Sequence, residues 1–316
     1  MKTIIFSFAV AALAAAVPVT AQVKITPGEN RIAVEIDGKP FGDLIYNGDA
    51  WKPYLYPLRS ASGKQVVRHY PMEKDVAGEP HDHNHHRGLW FAHGDVNGYD
   101  FWSSDVLNKT NPKFGKIVLN KVVRTKSGKK SGSLEAIFDW KDPEGKTLIT
   151  ETRTMTFHSD PTLRIIDVDI KLDPKVEVKF GDTKEGTFGL RLAAELQEQK
   201  GSGKMVNAQG AETEKAVWGT ASEWVDYAGT LDGEPLGIAI LDHPSNPRSP
   251  VRWHSRAYGL FAANPFGLAE FVHDKTKDGT MTVEAGKQMR YRYRVIIHPG
   301  DAKTAGIAEM YQKWVK

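Results

Sequence analysis

Residues 162–172, TLRIIDVDIKL, alternate: Ile166, Val168, Ile170 and Leu172 fall on one side, and Asp167, Asp169 and Lys171 on the other. An extended chain turns successive side chains to opposite faces, so this period of two describes a strand with one face buried and one in water. Strands of that kind belong to antiparallel sheets, because parallel sheets are covered on both faces. Met289 to Ile297 repeats the pattern, with Met289, Tyr291, Tyr293, Val295 and Ile297 opposite Arg290, Arg292 and Arg294. The basic row reads as a solvated face, with a substrate-facing role as the alternative.

Working outward, most segments after Val23 are β-branched or alternating runs punctuated by Gly, Pro and Asp-Gly. Arg31 to Ile36, the Asp37-Gly38 turn and Phe41 to Tyr46 make a hairpin, as do Leu134 to Trp140, the turn at Asp142 to Gly145, and Leu148 to Phe157. Further strands are expected at Leu89 to Ala92, Thr187 to Leu192, Trp224 to Thr230, Leu236 to Leu241 and Gly259 to Ala263. Only the tail has helical spacing, through Ile307, Met310, Tyr311 and Trp314 after Asp301. Many strands and one late helix predict an all-β fold, a large antiparallel two-sheet β-sandwich with a C-terminal helix.

The 316 residues are 40% hydrophobic and 26% charged, ordinary values for a chain with a sizeable core. Lys2, the apolar run from Ile4 to Val17, and Val19-Thr20-Ala21 form a signal peptide over residues 1–21, followed by one domain over 22–316. The run is short for a membrane anchor, so no transmembrane segment is expected after cleavage. The absence of Cys leaves no disulfides, and the periplasm is the expected location. A net charge of +3, with its lysines and arginines scattered, carries no nucleic-acid footprint.

Chemistry concentrates in residues 80–102, PHDHNHHRGLWFAHGDVNGYDFW. If that segment is extended, His81, His83 and His85 point to one side and His86 to the other. The row suits a divalent metal such as zinc, a metal-free polar site, or an exposed loop. Leu89 to Ala92 reads as a buried strand with His86 and Arg87 at its start and His93 and Asp95 at its end, while Asp100 and Trp102 follow the Asn97-Gly98 turn. Such groups supply a general acid, a base and an anion stabiliser. Trp90 and Trp102 can stack on a sugar ring or belong to the core.

A second stretch, LDHPSNPRSPVRWH at 241–254, holds Asp242, His243, Asn246, Arg248, Arg252 and His254 in a loop restricted by three prolines. Asn264 and Glu270 close the next strand. The two stretches are expected to share one cleft, with His93 as the catalytic histidine. His69, His158, His273 and His298 are isolated and read as surface or structural residues.

HHRGLWFAHGDVNGYDFW, together with GIAILDHPSNPRSPVRWHSRAYGLFAANPFG, resembles the PmoA-like family of exported bacterial proteins, over most of the mature chain. The resemblance implies a galactose-mutarotase-like supersandwich and occurrence in carbohydrate-degrading bacteria. It brings no catalytic residues with it.

The leading functional expectation is a periplasmic carbohydrate-active enzyme. A glycoside hydrolase would draw two carboxylates from Asp95, Asp100, Asp242 and Glu270. A lyase or epimerase would use His86, His93, His243 or His254, with Arg87 or Arg248 holding negative charge. The alternatives are a noncatalytic sugar-binding sandwich and a metal-dependent oxygenase, as the PmoA-like label suggests.

Overall fold

The computed structural model describes residues 22–46, 51–108 and 110–316. The signal segment expected at 1–21 lies outside the described residues. Two eight-stranded antiparallel sheets make up the body. The first runs, edge to edge, through Val23–Pro27, Arg31–Ile36, Lys39–Ile45, Tyr54–Tyr56, Leu89–His93, Gly186–Arg191, Leu260–Asn264 and Arg252–Ser255. The second runs through Lys204–Asn207, Trp224–Leu231, Glu234–Asp242, Met289–Pro299, Arg164–Pro174, Thr147–His158, Ser131–Lys141 and Lys116–Lys126. The all-β sandwich and its C-terminal helix are as the alternation predicts.

The sheets meet through the inward half of each pattern. Phe91 sets its ring against Trp140 and Tyr291, Phe188 stacks on Tyr293 at 4.4 Å, and Tyr227 meets Phe261. Each such large side chain removed from water stabilises the fold by roughly 1.5–3 kcal/mol. Two indoles in this core are matched: Trp140 Nε1 donates to Glu151 across 2.8 Å, and Trp253 Nε1 to the Ser222 carbonyl across 2.9 Å.

Arg164–Pro174 pairs with Met289–Pro299 so that Arg294 stands opposite Asp167. Arg294 Nε donates to Asp167 at 2.6 Å, and Arg290 pairs with Asp169. The basic row is therefore an outer face, charge-paired at Arg290 and Arg294 and bonded to Ser245 at Arg292. Asp37 and Gly38 both take positive φ, the requirement of the tight hairpin turn at that point.

The helical tail divides. Asp301 caps Ala302–Ala305, Gly306 takes a left-handed conformation, and Ile307–Trp314 then packs Ile307 and Tyr311 over Trp224, Leu241 and Ile296 on the outer face of the second sheet. Two further short helices, Thr213–Val217 and Leu268–Phe271, sit in connections with no helical spacing to announce them. The strand Lys116–Lys126 also went unread, because its charged and exposed residues hide the alternation.

Candidate functional site

Because Phe91, Phe188 and Leu190 face the second sheet, Trp90, Gly189 and Arg191 face outward from the first. The register sets Trp90 beside Gly189, Gly189 beside Ala262, and Ala262 beside His254. Gly189 leaves room for an aromatic lid: a β-carbon there would stand 3.2 Å from Trp102 Cη2. Trp102 thus lies across the middle of the outer face, 5.0 Å from Trp90 between ring centroids. Lys52, fully buried, donates to the carbonyls of Trp102 and Ser104 at 2.7 and 2.9 Å and fixes that loop. Burial lowers its pKa to about 7.

Above this floor sit the histidines. His86 stacks on Trp90 at 5.3 Å, and Arg191 Nη1 lies 3.2 Å from its Nδ1. A guanidinium can only donate, so Nδ1 is the acceptor and the ring proton sits on Nε2. Burial, helped by the nearby charges of His85 and Arg191, holds the His86 pKa well below the ordinary histidine value, which keeps the ring neutral. His85 lies 4.4 Å from it, pushed down to about 2 by burial and by Lys52.

Asp82 is the hub beside them. It accepts from Arg68 at 2.6 Å, from Arg191 at 3.0 Å and from His83 Nδ1 at 2.8 Å. Burial alone would raise its pKa, but the hydrogen bond from His83 and the two guanidiniums outweigh burial and hold it well below the carboxylate range. With Nδ1–H donated to Asp82, His83 leaves Nε2 as the ring nitrogen outside that pair. Its ring is held parallel between His86 at 4.9 Å and Tyr258 at 5.4 Å, while Arg191 covers Tyr258 from 4.5 Å. The backbone of His83 takes φ of 43°, a strained value for a residue with a side chain.

His85 Nδ1, His86 Nε2, Trp90 Nε1 and Trp102 Nε1 are all buried and have no hydrogen-bond partner among the described residues. The indole N–H groups of Trp140 and Trp253 in the core are bonded, whereas Trp218 Nε1, outside this face, is also buried without a partner among the described residues.

His254 joins the far side. It donates Nδ1–H to the Lys184 carbonyl at 2.9 Å, and burial, with Arg256 and Lys184, lowers it to about 3. Glu185, half-buried in the loop before Gly186–Arg191, has its pKa raised chiefly by burial; Lys184, 3.7 Å away, opposes the rise, and Glu270 and Asp100 add to it. Asp100 is itself raised by burial.

Several expected site residues stand elsewhere. The histidine row is not extended, because the left-handed turn at His83 breaks the alternation. His81 turns away to stack on Tyr70 at 4.5 Å, and among the described residues no three His, Asp or Glu side chains stand as a metal-ligand group. The row does not fit a three-ligand metal. Arg87 is spent in a buried two-point pair with Asp105, at 2.7 and 3.0 Å. His93 is fully buried between Phe180 and Phe266, its Nε2 bonded to the Gly181 carbonyl at 2.9 Å and its Nδ1 without a partner among the described residues, on the far side of Gly186 from the His86 cluster. Asp95 forms a turn by accepting from Gly98 N.

The second stretch separates from the first except at His254. His243 packs on Trp314 at 5.0 Å, over the outer face of the opposite sheet. Asp242 holds Asn246 and the Val251 amide within its loop. Arg248 is bound to the carbonyls of Pro265, Gly279 and Thr280, and Arg252 to that of Gly219. Asn264 ties Thr183 to Phe266, and Glu270 pairs with Lys184 at 2.7 Å. Of the two-stretch cleft, only His254 reaches the His86 side.

No curated protein sequence matches the chain. Among solved structures it is similar to the GH36 alpha-galactosidase AgaA from Geobacillus stearothermophilus, at 9% identity and a TM-score of 0.43, covering 90% of this chain and 41% of that one. It is also similar to a galactose mutarotase-like protein from Clostridium acetobutylicum, at 11% identity and a TM-score of 0.43, covering 88% and 98%. Heparan sulfate lyase HepC from Pedobacter heparinus matches at 7% and 0.39, covering 90% and 36%. The chain spans about two fifths of the length of the alpha-galactosidases it matches. At these identities and scores the likenesses say nothing of activity. The PmoA-like resemblance is not upheld, because the family model that matches carries no such designation. That model spans residues 31–312, and the chain belongs to DUF6807, a family of unknown function.

Proposed function

We propose that the outer face of the first sheet is the active site of a carbohydrate-processing enzyme that moves a proton on and off carbon, in the manner of a lyase or epimerase. One observation carries the reading: the Asp82–His83 pair holds a ring by its Nδ1 and leaves Nε2 beside the buried, unpartnered ring nitrogens of His85, His86, Trp90 and Trp102. A general base needs a defined tautomer and a defined orientation, and Asp82, His86 and Tyr258 supply both. The N–H groups of His86, Trp90 and Trp102 suit the oxygens of a sugar or of an enolate, and the indole faces suit its ring.

In an elimination, His83 Nε2 removes the C–H proton next to a carboxylate or carbonyl. The electron pair passes through an enolate held by those N–H groups and then expels the leaving oxygen as the carbon–carbon double bond forms. Glu185, its pKa raised by burial, returns a proton to that oxygen. His83 becomes an imidazolium paired with Asp82.

Hydrolysis is the second reading, favoured by one fact: Glu185 and Asp100 are neighbouring carboxyls, both raised. Incubation with a panel of uronic-acid-containing oligosaccharides separates the two, since elimination yields an unsaturated, ultraviolet-absorbing product and hydrolysis a new reducing end alone. A saturated product with a new reducing end would move the assignment to the carboxyl pair. Binding without turnover would leave a noncatalytic sugar-binding protein.

Export belongs to the same proposal, with cleavage between Ala21 and Gln22; N-terminal sequencing of periplasmic protein tests it. No helix among the described residues is long and apolar enough to cross a membrane.

A further inference from the structure

The outer face of the second sheet carries a feature that the proposed reaction does not use. His298, on Met289–Pro299, lies flat over Gly237 of the neighbouring strand, where a β-carbon would come within 2.3 Å of the ring. Its Nε2 meets Asp226 Oδ1 at 2.7 Å and its Nδ1 meets the Pro299 carbonyl at 3.2 Å. Both acceptors require a donor, so the ring carries two protons and is an imidazolium. Its pKa is raised accordingly: burial opposes the charge, and the Asp226 carboxylate outweighs burial.

Asp226 is fully buried, and its second oxygen, Oδ2, has no partner among the described residues. Leaving a buried carboxylate oxygen unbonded costs on the order of 1–3 kcal/mol. Asp226 lines a cavity of about 780 Å³ between the edge strand Lys204–Asn207 and the helical tail. Trp224 and Ala228 form one wall and Lys303 and Glu309 the rim. A second hollow of about 480 Å³ continues along Ile307–Trp314, sharing Trp224, Ala308 and Glu309 with the first. The two form one long groove along residues 224–230, with Asp226 between Trp224 and Ala228 on its strand side.

We propose that this groove is a second, noncatalytic binding site for a neutral oligosaccharide. The chemistry of the pair selects the ligand. His298 already neutralises Asp226, so the free oxygen asks for an uncharged donor such as a hydroxyl, and an ammonium group would add an unbalanced charge. Volumes in this range hold small ligands, and the length favours several linked rings. The groove lies on the opposite sheet from His83, so the proposal is independent of the catalytic reading.

The test uses the full mature chain with maltotetraose, cellotetraose and xylotetraose as probes, followed by hydrogen–deuterium exchange and calorimetry. At least one tetrasaccharide should slow exchange in both 203–230 and 300–312. Ala308→Trp, a filling change at an exposed helix position, and Asp226→Asn should each weaken binding about tenfold. His83→Ala should leave this binding unchanged. The proposal is overturned if no probe protects these segments, if protection is confined to 81–102, or if Ala308→Trp, shown folded by its unfolding temperature, binds as the parent does.

Discussion

Arg191 donates to Nδ1 of His86 across 3.2 Å and so places that ring's proton on Nε2. The same guanidinium holds Asp82, which fixes His83 in the opposite tautomer, with its proton on Nδ1. One buried arginine therefore makes a donor of one histidine and a base of its stacked neighbour.

If the indole N–H groups hold ligand oxygens, Trp102→Phe keeps the aromatic surface and removes one donor. The expected result is a rise in KM or Kd of about 3- to 10-fold with an unchanged unfolding temperature. An unaltered affinity would remove Trp102 from the binding account.

Asp82→Asn tests the tautomer argument. An amide cannot enforce Nδ1–H on His83, so kcat should fall by roughly 10² or more. Stability should also fall, by ~1–3 kcal/mol, because Arg68 and Arg191 are wholly buried and lose their carboxylate. Denaturant unfolding beside the kinetics separates the two effects.

His93→Ala should do the reverse. With its ring enclosed and bonded to Gly181, the loss should be roughly 1–3 kcal/mol of stability, with kcat changed less than about threefold in the folded fraction. A large fall in kcat at full stability would restore His93 as the catalytic residue that its place after an apolar strand suggested.

The fold was legible because period-two alternation depends only on which face is wet, and Ile166 to Leu172 shows it without help from the rest of the chain. The site was half legible. His86, Trp90 and Trp102 stand in one dense stretch. Glu185 precedes and Arg191 ends the strand 186–191, more than 80 residues on, and register alone brings them beside that stretch. Asp82 was visible yet passed over, since its role comes from two arginines that no local motif connects. The histidine row failed for a backbone reason, the positive φ of His83, which no spacing rule reveals.

Acid stability follows from the buried histidines. His93 is lowered from 6.5 to about 4 and His254 to about 3, both chiefly by burial, so the unfolded chain binds more protons below pH 6.5. Their stabilising contribution is complete above about pH 6.5 and is lost as pH falls towards those values, by up to about 3 kcal/mol for His93. Asp242 acts oppositely, because burial raises it to about 6 and its contribution is lost as pH rises from about 4 to about 6. Unfolding free energies between pH 4 and 7 should therefore depend less on pH in His93→Phe and more steeply in Asp242→Asn. Equal slopes in all three proteins would contradict these assignments.

The most direct measurement of the central claim is solvent hydrogen exchange into carbon. Wild-type protein and His83→Ala are incubated in heavy water with a substrate found in the oligosaccharide panel, and recovered substrate and product are read by proton NMR and mass. The account predicts deuterium at the carbon next to the carbonyl or carboxylate, or its loss by elimination, in the wild type, with the rate reduced by about 10² to 10⁴ in His83→Ala. Turnover that leaves every carbon-bound hydrogen in place, or that survives His83→Ala undiminished, would contradict it.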